Sequence, residues 1–208
     1  AALFFGLMLT ARTLNSRNVF LIGLMGSGKT TIGQMLAKRL GLPFIDSDHE
    51  LERRTGVSVS TIFEIEGEAA FRAREAAMID ELTRRDGLVL GTGGGAVLYA
   101  DSRRVLRSRG TTFYLHSSPE TSFERVRRNR DRPLLMVTDP LARLRQLYEY
   151  RHPLYRETAH HVVESYRDRP SAVVAEIVAC LGSSATASDS ILPSAVPRPI
   201  EAPSGGEK

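Results

Sequence analysis

The chain has 208 residues, of which 42% are apolar and 25% are charged, and its formal net charge is +4. This composition suits one domain with a hydrophobic core and tails, and the single cysteine, Cys180, excludes a disulfide framework. A single cysteine also fits a reducing compartment, so we expect a cytoplasmic protein. The basic charge is spread along the chain as 25 arginines and 3 lysines, which favours small anionic ligands.

The two ends of the chain differ in composition from its middle. Residues 1–16 begin with the apolar run AALFFGLMLT, which is too short to span a bilayer and lacks the basic start of a signal peptide. We interpret these residues as an N-terminal extension, a cloning artefact or a misassigned start. Residues 182–208 are rich in Ser, Ala, Pro and Gly, and we expect a disordered tail. One folded domain is therefore predicted for residues 17–181.

The first predicted elements are a buried strand, VFLIG, a glycine-rich loop, GLMGSGKT, and a helix, TTIGQMLAKRL. The loop matches the pattern G-x-x-x-x-G-K-[ST], whose glycines let successive N–H groups point at phosphate oxygens. The N-terminus of the helix adds further N–H groups and a positive dipole. Lys29 would contact the outer phosphates, and the Thr30 hydroxyl could ligate Mg²⁺. The pattern predicts nucleotide binding but does not identify the molecule that is phosphorylated.

The remaining elements alternate between strands and helices. The predicted strands are LPFIDSD, GLVLGTGGG, TTFYLH and HHVVES. The predicted helices are DHELERRTG, VSTIFEIEG, EAAFRAREAAMIDELTRR, LYADSRRVLRSR, SPETSFERVRR, DPLARLRQLYEYRHPLYRETA, which Pro153 kinks or interrupts, and SAVVAEIVACL. Together with the first strand, this order predicts an α/β fold: a five-stranded parallel sheet flanked by helices on both faces.

Polar and glycine-rich segments follow the first three predicted strands. The phosphate loop follows the first, Asp46 and Asp48 follow the second, and residues 93–95, GGG, follow the third. Ligands of such folds bind at the carboxyl ends of the strands, so we expect the three segments to share one crevice. The two aspartates could also cap the next helix, which is compatible with a role in catalysis. A simple turn needs one glycine, so three favour a close approach of backbone to ligand, above all at Gly94.

A basic segment, RRNRDRPLLM, lies within residues 126–137. It fits a lid that closes over a nucleotide and excludes water, a solvated basic loop, or a nucleic-acid patch. We favour the lid because of the pattern Arg132-Pro-Leu-Leu within this segment. Tyr148, Tyr150 and Tyr155 are interpreted as packing residues rather than base stackers.

Taken in this order, the motifs resemble those of the shikimate kinase family, P-loop kinases similar to nucleoside monophosphate kinases. The resemblance covers residues 18–181 and rests on GLMGSGKTTIG, FIDSD, IFEIEGEAAFRAREAAMI, GTGGGAV, RDRPLL and YRHPLYRETA. It implies a P-loop kinase fold with a substrate-binding helical segment and a mobile lid. It also implies ATP-dependent phosphorylation of the 3-hydroxyl of shikimate, a step on the chorismate route to aromatic amino acids.

The resemblance implies roles for individual residues. The positions expected to contact ATP are Gly26, Ser27, Gly28, Lys29, Thr30, Thr31, Arg125 and Arg132. The positions expected to bind shikimate are Asp48, Arg72, Gly94, Gly95 and Arg151. Thr30 and Asp46 would hold Mg²⁺, Asp46 through water, and Lys29, Asp48 and Arg132 would carry the catalysis.

The chemistry of shikimate suits these residue types. Its carboxylate is matched better by the planar guanidinium of Arg72 and Arg151 than by lysine. Glu75 follows Arg72 by three residues on a predicted helix and can hold that arginine in place. Without the resemblance, Arg72 is better interpreted as a solvated helix charge. Asp48 would orient the attacking hydroxyl and, as a further possibility, take its proton.

Two other functions fit parts of the pattern. Gluconate-type or nucleotide kinases share the phosphate loop, but we do not expect them to combine GGG with Arg72, Glu75 and Arg151. A ligand-sensing domain of a transcription regulator would need a DNA-binding module, and the residues before Asn18 are too few for a helix-turn-helix domain. We therefore expect a monomeric enzyme whose partners are shikimate and ATP, and neither nucleic acid nor a membrane.

Overall fold

The computed structural model describes residues 18–127, 135, 137–165 and 169–188. The predicted N-terminal extension and most of the predicted lid at 126–137, including Arg132, lie outside the described residues. Within the described ranges, no helix combines the length and the apolar character that crossing a bilayer requires.

A five-stranded sheet forms the centre of the described chain. Its strands are β1 (Asn18–Ile22), β2 (Phe44–Asp46), β3 (Val89–Gly91), β4 (Gly110–His116) and β5 (His161–Glu164). Their order across the sheet is β2-β3-β1-β4-β5, and every neighbouring pair is parallel. The prediction of a five-stranded parallel sheet is therefore confirmed. The central strand β1 brings the phosphate loop next to the ends of β3 and β4.

Helices cover both faces of the sheet. They are α1 (Lys29–Leu40), α2 (Ser47–Thr55), α3 (Val59–Leu82), α4 (Ala100–Ser108), α5 (Pro119–Val126), α6 (Pro140–Thr158) and α7 (Pro170–Ser188). Successive residues of β1 point to opposite faces, so Phe20 packs in a core with α3, α4 and α6, whereas Leu21 packs in a core with α1 and α7. Burial on both faces explains why the central strand β1 is continuously apolar from Val19 to Ile22.

Three helix boundaries test the sequence interpretation. Gly67 has a non-helical backbone, with φ 80° and ψ 171°, and separates the two parts of α3 as predicted. Pro153 does not interrupt α6, which runs from Pro140 to Thr158. The predicted start of the tail at residue 182 is wrong, because α7 continues to Ser188. Gly182 does not end this helix, since a glycine inside a helix costs only about 1 kcal/mol relative to alanine.

Asn18 connects the amino end of β1 to two neighbouring segments. Its buried side-chain amide donates to the carbonyl oxygens of Thr83, Arg85 and Arg109, and the Leu88 N–H donates to its Oδ1 at 3.2 Å. Removing one partner of a buried hydrogen bond leaves the other unsatisfied. The amide therefore joins the start of β1 to the segments before β3 and β4.

We expect Asn18→Ala to lower the free energy of unfolding by about 2 kcal/mol or more, because several buried backbone groups lose their partner. Urea denaturation followed by circular dichroism measures this change. The control is Gln34→Ala, which removes an exposed amide from α1 and should alter stability by no more than about 0.5 kcal/mol. Equal effects of the two substitutions would contradict the role given to Asn18.

Candidate active site

The segment between β1 and α1 has the geometry of a phosphate loop. The φ angles of Gly23, Gly26 and Gly28 are 144°, 80° and 90°. A Cβ at Gly23 would lie 2.6 Å from the carbonyl oxygen of Leu115, and one at Gly26 would lie 2.5 Å from that of Ser122. Both the backbone conformation and the close approach therefore require glycine here.

Lys29 folds back over this loop. Its Nζ donates to the carbonyl oxygens of Gly23 at 2.8 Å and Leu24 at 2.9 Å. A cavity of about 350 Å³ opens here, and its lining includes the predicted ATP contacts Gly26, Gly28, Lys29, Thr30, Thr31 and Arg125. Ser27 is fully buried and does not line the cavity, and its N–H donates to the Leu24 carbonyl at 3.1 Å. The ammonium group and the N-terminus of α1 make this first cavity suitable for anionic phosphates.

Thr30 and Asp46 meet at one side of the first cavity. Thr30 Oγ1 donates to Asp46 Oδ2 at 2.9 Å, while Asp46 Oδ1 accepts from the N–H groups of Asp48 and His49 and caps α2. Across the described ranges, no three His, Cys, Asp or Glu side chains gather into a metal site. A cation here would depend on a hydroxyl, a carboxylate, water and phosphate oxygens. These are ligands that Mg²⁺ prefers, so the residues fit a magnesium ion bound with a nucleotide.

A second cavity, of about 430 Å³, adjoins the first. Residues from four segments line both cavities: Met25, Thr30, Asp46, Asp48, Gly93 and Gly94. The far side of the second cavity includes Arg72, Glu75 and Arg151. The predicted convergence at the carboxyl ends of β1, β2 and β3 is therefore observed, and Asp48 lies where the two cavities meet.

The glycines after β3 allow charged side chains to pack against the backbone. A Cβ at Gly93 would lie 2.6 Å from Asp48 Oδ1, and nearer still to Glu75 Oε1. A Cβ at Gly95 would lie within 2.7 Å of three atoms of the Arg72 guanidinium. A side chain at either position would force a charged group of the site to move, because the crowding atoms lie at the ends of Asp48, Glu75 and Arg72.

Gly94 differs from its neighbours. A Cβ there would meet its nearest atom, the Met25 nitrogen, at 3.5 Å, which is ordinary van der Waals contact. The close approach of ligand to backbone expected at Gly94 stays a prediction, because it concerns a bound ligand and not the protein's own atoms. Crowding by the protein's own side chains falls on Gly93 and Gly95.

Arg72 is buried, with 6% exposure, so its interpretation as a solvated charge is wrong. Its Nη1 donates to Glu75 Oε2 at 2.6 Å, while its Nε and Nη2 donate to Glu68 Oε1 at 3.3 and 3.2 Å. The rings of Phe63 and Phe71 lie 5.6 and 5.0 Å from its Cζ, which adds cation–π attraction. Sequence reasoning identified the role of Glu75 but missed Glu68, although its spacing of four residues from Arg72 indicates the contact.

Glu75 and Arg151 are both almost fully buried, with 3% and 2% exposure. Burial raises the pKa of Glu75, and the charges of Arg72 and Arg151 oppose that rise. Arg151 Nη1 donates to the Gly94 carbonyl at 3.2 Å. Among the described atoms, Arg151 Nε and Glu75 Oε1 have no hydrogen-bond partner. Buried polar groups are seldom left unpaired, so this part of the second cavity suits a polar ligand.

Arg125 joins the first cavity to the segment after β5. Its Nη1 donates to the Gly26 carbonyl at 3.2 Å and its Nη2 to the Ser165 carbonyl at 2.8 Å. This location lies on the nucleotide side expected for Arg125.

Tyr148 and Tyr155 pack as predicted, but Tyr150 is 68% exposed, so the packing interpretation of Tyr150 is wrong.

Known proteins provide an independent comparison. The sequence model of the shikimate kinase family matches residues 25–182. A shikimate kinase from Burkholderia pseudomallei is 53% identical over 157 residues, which are 76% of this chain and 85% of that protein.

Solved structures extend the comparison to the fold. The shikimate kinase from Acinetobacter baumannii, solved in complex with shikimate, has a TM-score of 0.79 and 42% identity, covering 88% of this chain and 99% of that one. A gluconokinase from Sinorhizobium meliloti has a TM-score of 0.54 and 19% identity, covering 84% of this chain and 97% of that one, and so shares the fold alone. With these matches and the site geometry, the chain belongs to the shikimate kinase family.

Proposed function

We propose that the chain transfers the γ-phosphoryl group of ATP to the 3-hydroxyl of shikimate, forming shikimate 3-phosphate and ADP. The observation that supports this most directly is the pair of adjoining cavities. One carries a phosphate loop, the other carries two buried arginines, and Asp48 lines both. This arrangement suits a phosphoryl donor in one cavity and a phosphoryl acceptor in the other, which meet at Asp48.

The first cavity would hold ATP. The N–H groups around Gly26 to Thr31 and the Lys29 ammonium would bind its phosphates, and Arg125 would lie towards the base. Thr30 and Asp46 would hold Mg²⁺, Asp46 through water, and the ion would neutralise charge on the phosphates. Arg132 is proposed to add charge stabilisation from a lid over residues 126–137, which excludes water so that ATP is not hydrolysed.

The second cavity would hold shikimate. Arg72 and Arg151 would bind its carboxylate, and Gly94 and Gly95 would present backbone groups to the ring. Asp48 would accept a hydrogen bond from the 3-hydroxyl and orient its oxygen for attack on the γ-phosphorus. The bond to the bridging oxygen of ADP then breaks, and the hydroxyl proton leaves to Asp48 or to a phosphate oxygen. Phosphoryl transfer depends mainly on positioning and charge stabilisation, which these residues supply.

We also propose a cytoplasmic location, a monomer and no nucleic-acid partner, and features of the surface support the last two. Many described arginines are paired with acids, for example Arg54 with Glu50 and Glu81. Such pairing lowers the positive field that would attract nucleic acid. Within the described part of the chain, the exposed large apolar side chains lie on different elements, which does not favour a broad oligomer interface there: Met35, Val57, Ile65, Tyr99, Val137, Tyr150 and Val162.

The test is ADP release by the purified full chain with Mg-ATP and shikimate, gluconate or a nucleoside monophosphate in parallel. We expect turnover that depends on shikimate. Shikimate methyl ester is the matched control, because it keeps the ring and hydroxyls but loses the charge that Arg72 and Arg151 would bind. Its kcat/KM should fall by roughly tenfold or more.

Each other result of this assay has a definite meaning. Turnover with gluconate or a nucleotide in place of shikimate would support the alternative kinases. Binding of shikimate without ADP release would favour a ligand sensor. Equal kcat/KM for shikimate and its ester would contradict the role of the two arginines.

A further inference from the structure

The carbonyl oxygen of Gly94 accepts two hydrogen bonds from helix α6. Arg151 Nη1 donates at 3.2 Å, and the Tyr155 hydroxyl donates at 2.5 Å. The two side chains lie on the same face of α6, since they are four residues apart. One backbone oxygen therefore joins the helix that carries Arg151 to the glycine loop at the edge of the second cavity.

Tyr155 is buried next to the second cavity but does not line it. It is fully buried, its ring stacks on that of Tyr114 at 5.0 Å between centroids, and it lines neither cavity. Burial raises the pKa of Tyr155 to about 12, although the charge of Arg151 opposes this rise. The hydroxyl therefore stays protonated near neutral pH and remains a hydrogen-bond donor.

The buried Arg151 guanidinium also interacts with the Tyr155 hydroxyl and with the charge of Glu75. Its Nε lacks a hydrogen-bond partner within the described part of the chain. The hydrogen bond to the Gly94 carbonyl is therefore one of the few contacts that can set the direction of the guanidinium. Gly94 also lines both cavities, so a shift of this carbonyl would disturb the boundary between them.

We propose that Tyr155 is a positioning residue: its hydroxyl holds the Gly94 carbonyl, and through it Arg151, in the arrangement that binds the substrate carboxylate. This inference rests on the proposed function, because it assigns Arg151 to that carboxylate. Tyr155 would influence the binding of shikimate without touching it. Its effect should therefore appear in shikimate binding and not in ATP binding.

The experiment compares Tyr155→Phe with Tyr114→Phe in the full chain. Both remove one hydroxyl from a buried, stacked ring, but the Tyr114 hydroxyl bonds His152 Nδ1 at 3.0 Å and not Gly94. We expect Tyr155→Phe to raise both the KM and the calorimetric Kd for shikimate by about 3- to 10-fold. The KM for ATP should stay within about twofold of the unchanged protein for both variants.

A double-substitution cycle tests whether Tyr155 acts through Arg151. Adding Tyr155→Phe to Arg151→Ala should change the shikimate Kd by less than about twofold, because the group being positioned is already absent. The proposal is overturned if Tyr155→Phe lowers only the melting temperature, if both tyrosine variants weaken shikimate equally, or if the cycle is additive. An unchanged protein that does not turn over shikimate would instead refute the proposed function.

Discussion

Replacing Lys29 with alanine is expected to lower kcat for shikimate phosphorylation by about 10³-fold while the protein remains folded. Lys29 begins α1 at the base of the phosphate loop, and its Nζ lies within 2.9 Å of two loop carbonyl oxygens. Charge develops on the transferred phosphoryl group, and a fixed ammonium group stabilises that charge. Coupled-assay kinetics measure the loss, and circular dichroism with a thermal melt checks the fold.

Lys38→Ala is the matched control for this substitution. Lys38 also lies on α1, but its side chain is exposed and lines neither cavity. Removing it should leave kcat within about twofold, because surface substitutions away from a site have small effects. A Lys29→Ala enzyme that keeps more than about a tenth of kcat would contradict the charge-stabilising role given to Lys29.

The phosphate loop could be predicted because its information is local. Eight consecutive residues, GLMGSGKT, specify both the turn and the start of the helix, and the flanking apolar patterns define the elements on either side. The order of strands and helices also limits a parallel sheet to few topologies. The convergence of Asp46, Asp48 and residues 93–95 followed from the rule that parallel strands end on one edge.

Contacts between distant segments were harder to predict. The pairs of Arg72 with Glu68 and Glu75 lie within one helix, so spacings of four and three residues indicate them. Tyr155 and Gly94, in contrast, are 61 residues apart, so their hydrogen bond follows from the tertiary structure and not from spacing. For the same reason, the sequence could not indicate which of Gly93, Gly94 and Gly95 other side chains crowd.

The prediction that the tail starts at residue 182 was wrong for a different reason. Ser, Ala and Gly after Leu181 resemble a tail in composition, but alanine is also the strongest helix former. A helix already packed on the sheet needs no new nucleation, so α7 extends through such residues to Ser188. Composition alone cannot separate these two outcomes.

Gly95→Ala should weaken shikimate binding by about 100-fold while ATP binding changes little. Gly95 has φ −98° and ψ −2°, outside the left-handed region that favours glycine, so we expect the effect to come mainly from the added side chain. The added Cβ would lie within 2.7 Å of three atoms of the Arg72 guanidinium. Arg72 would have to move, and the loss of two charge-assisted hydrogen bonds to the carboxylate costs about 3 kcal/mol. Calorimetric titration with shikimate and with ATP measures both affinities.

Two further variants separate this mechanism from general damage to the fold. Gly182→Ala adds the same methyl group where nothing lies within 4 Å, so it should leave shikimate binding unchanged. In an Arg72→Ala background the crowding at Gly95 is absent, so adding Gly95→Ala should weaken shikimate binding by less than about twofold. If Gly95→Ala instead weakens shikimate binding equally with and without Arg72, the added methyl group acts on the substrate or on the backbone directly. The crowded guanidinium would then not be the reason for glycine at this position.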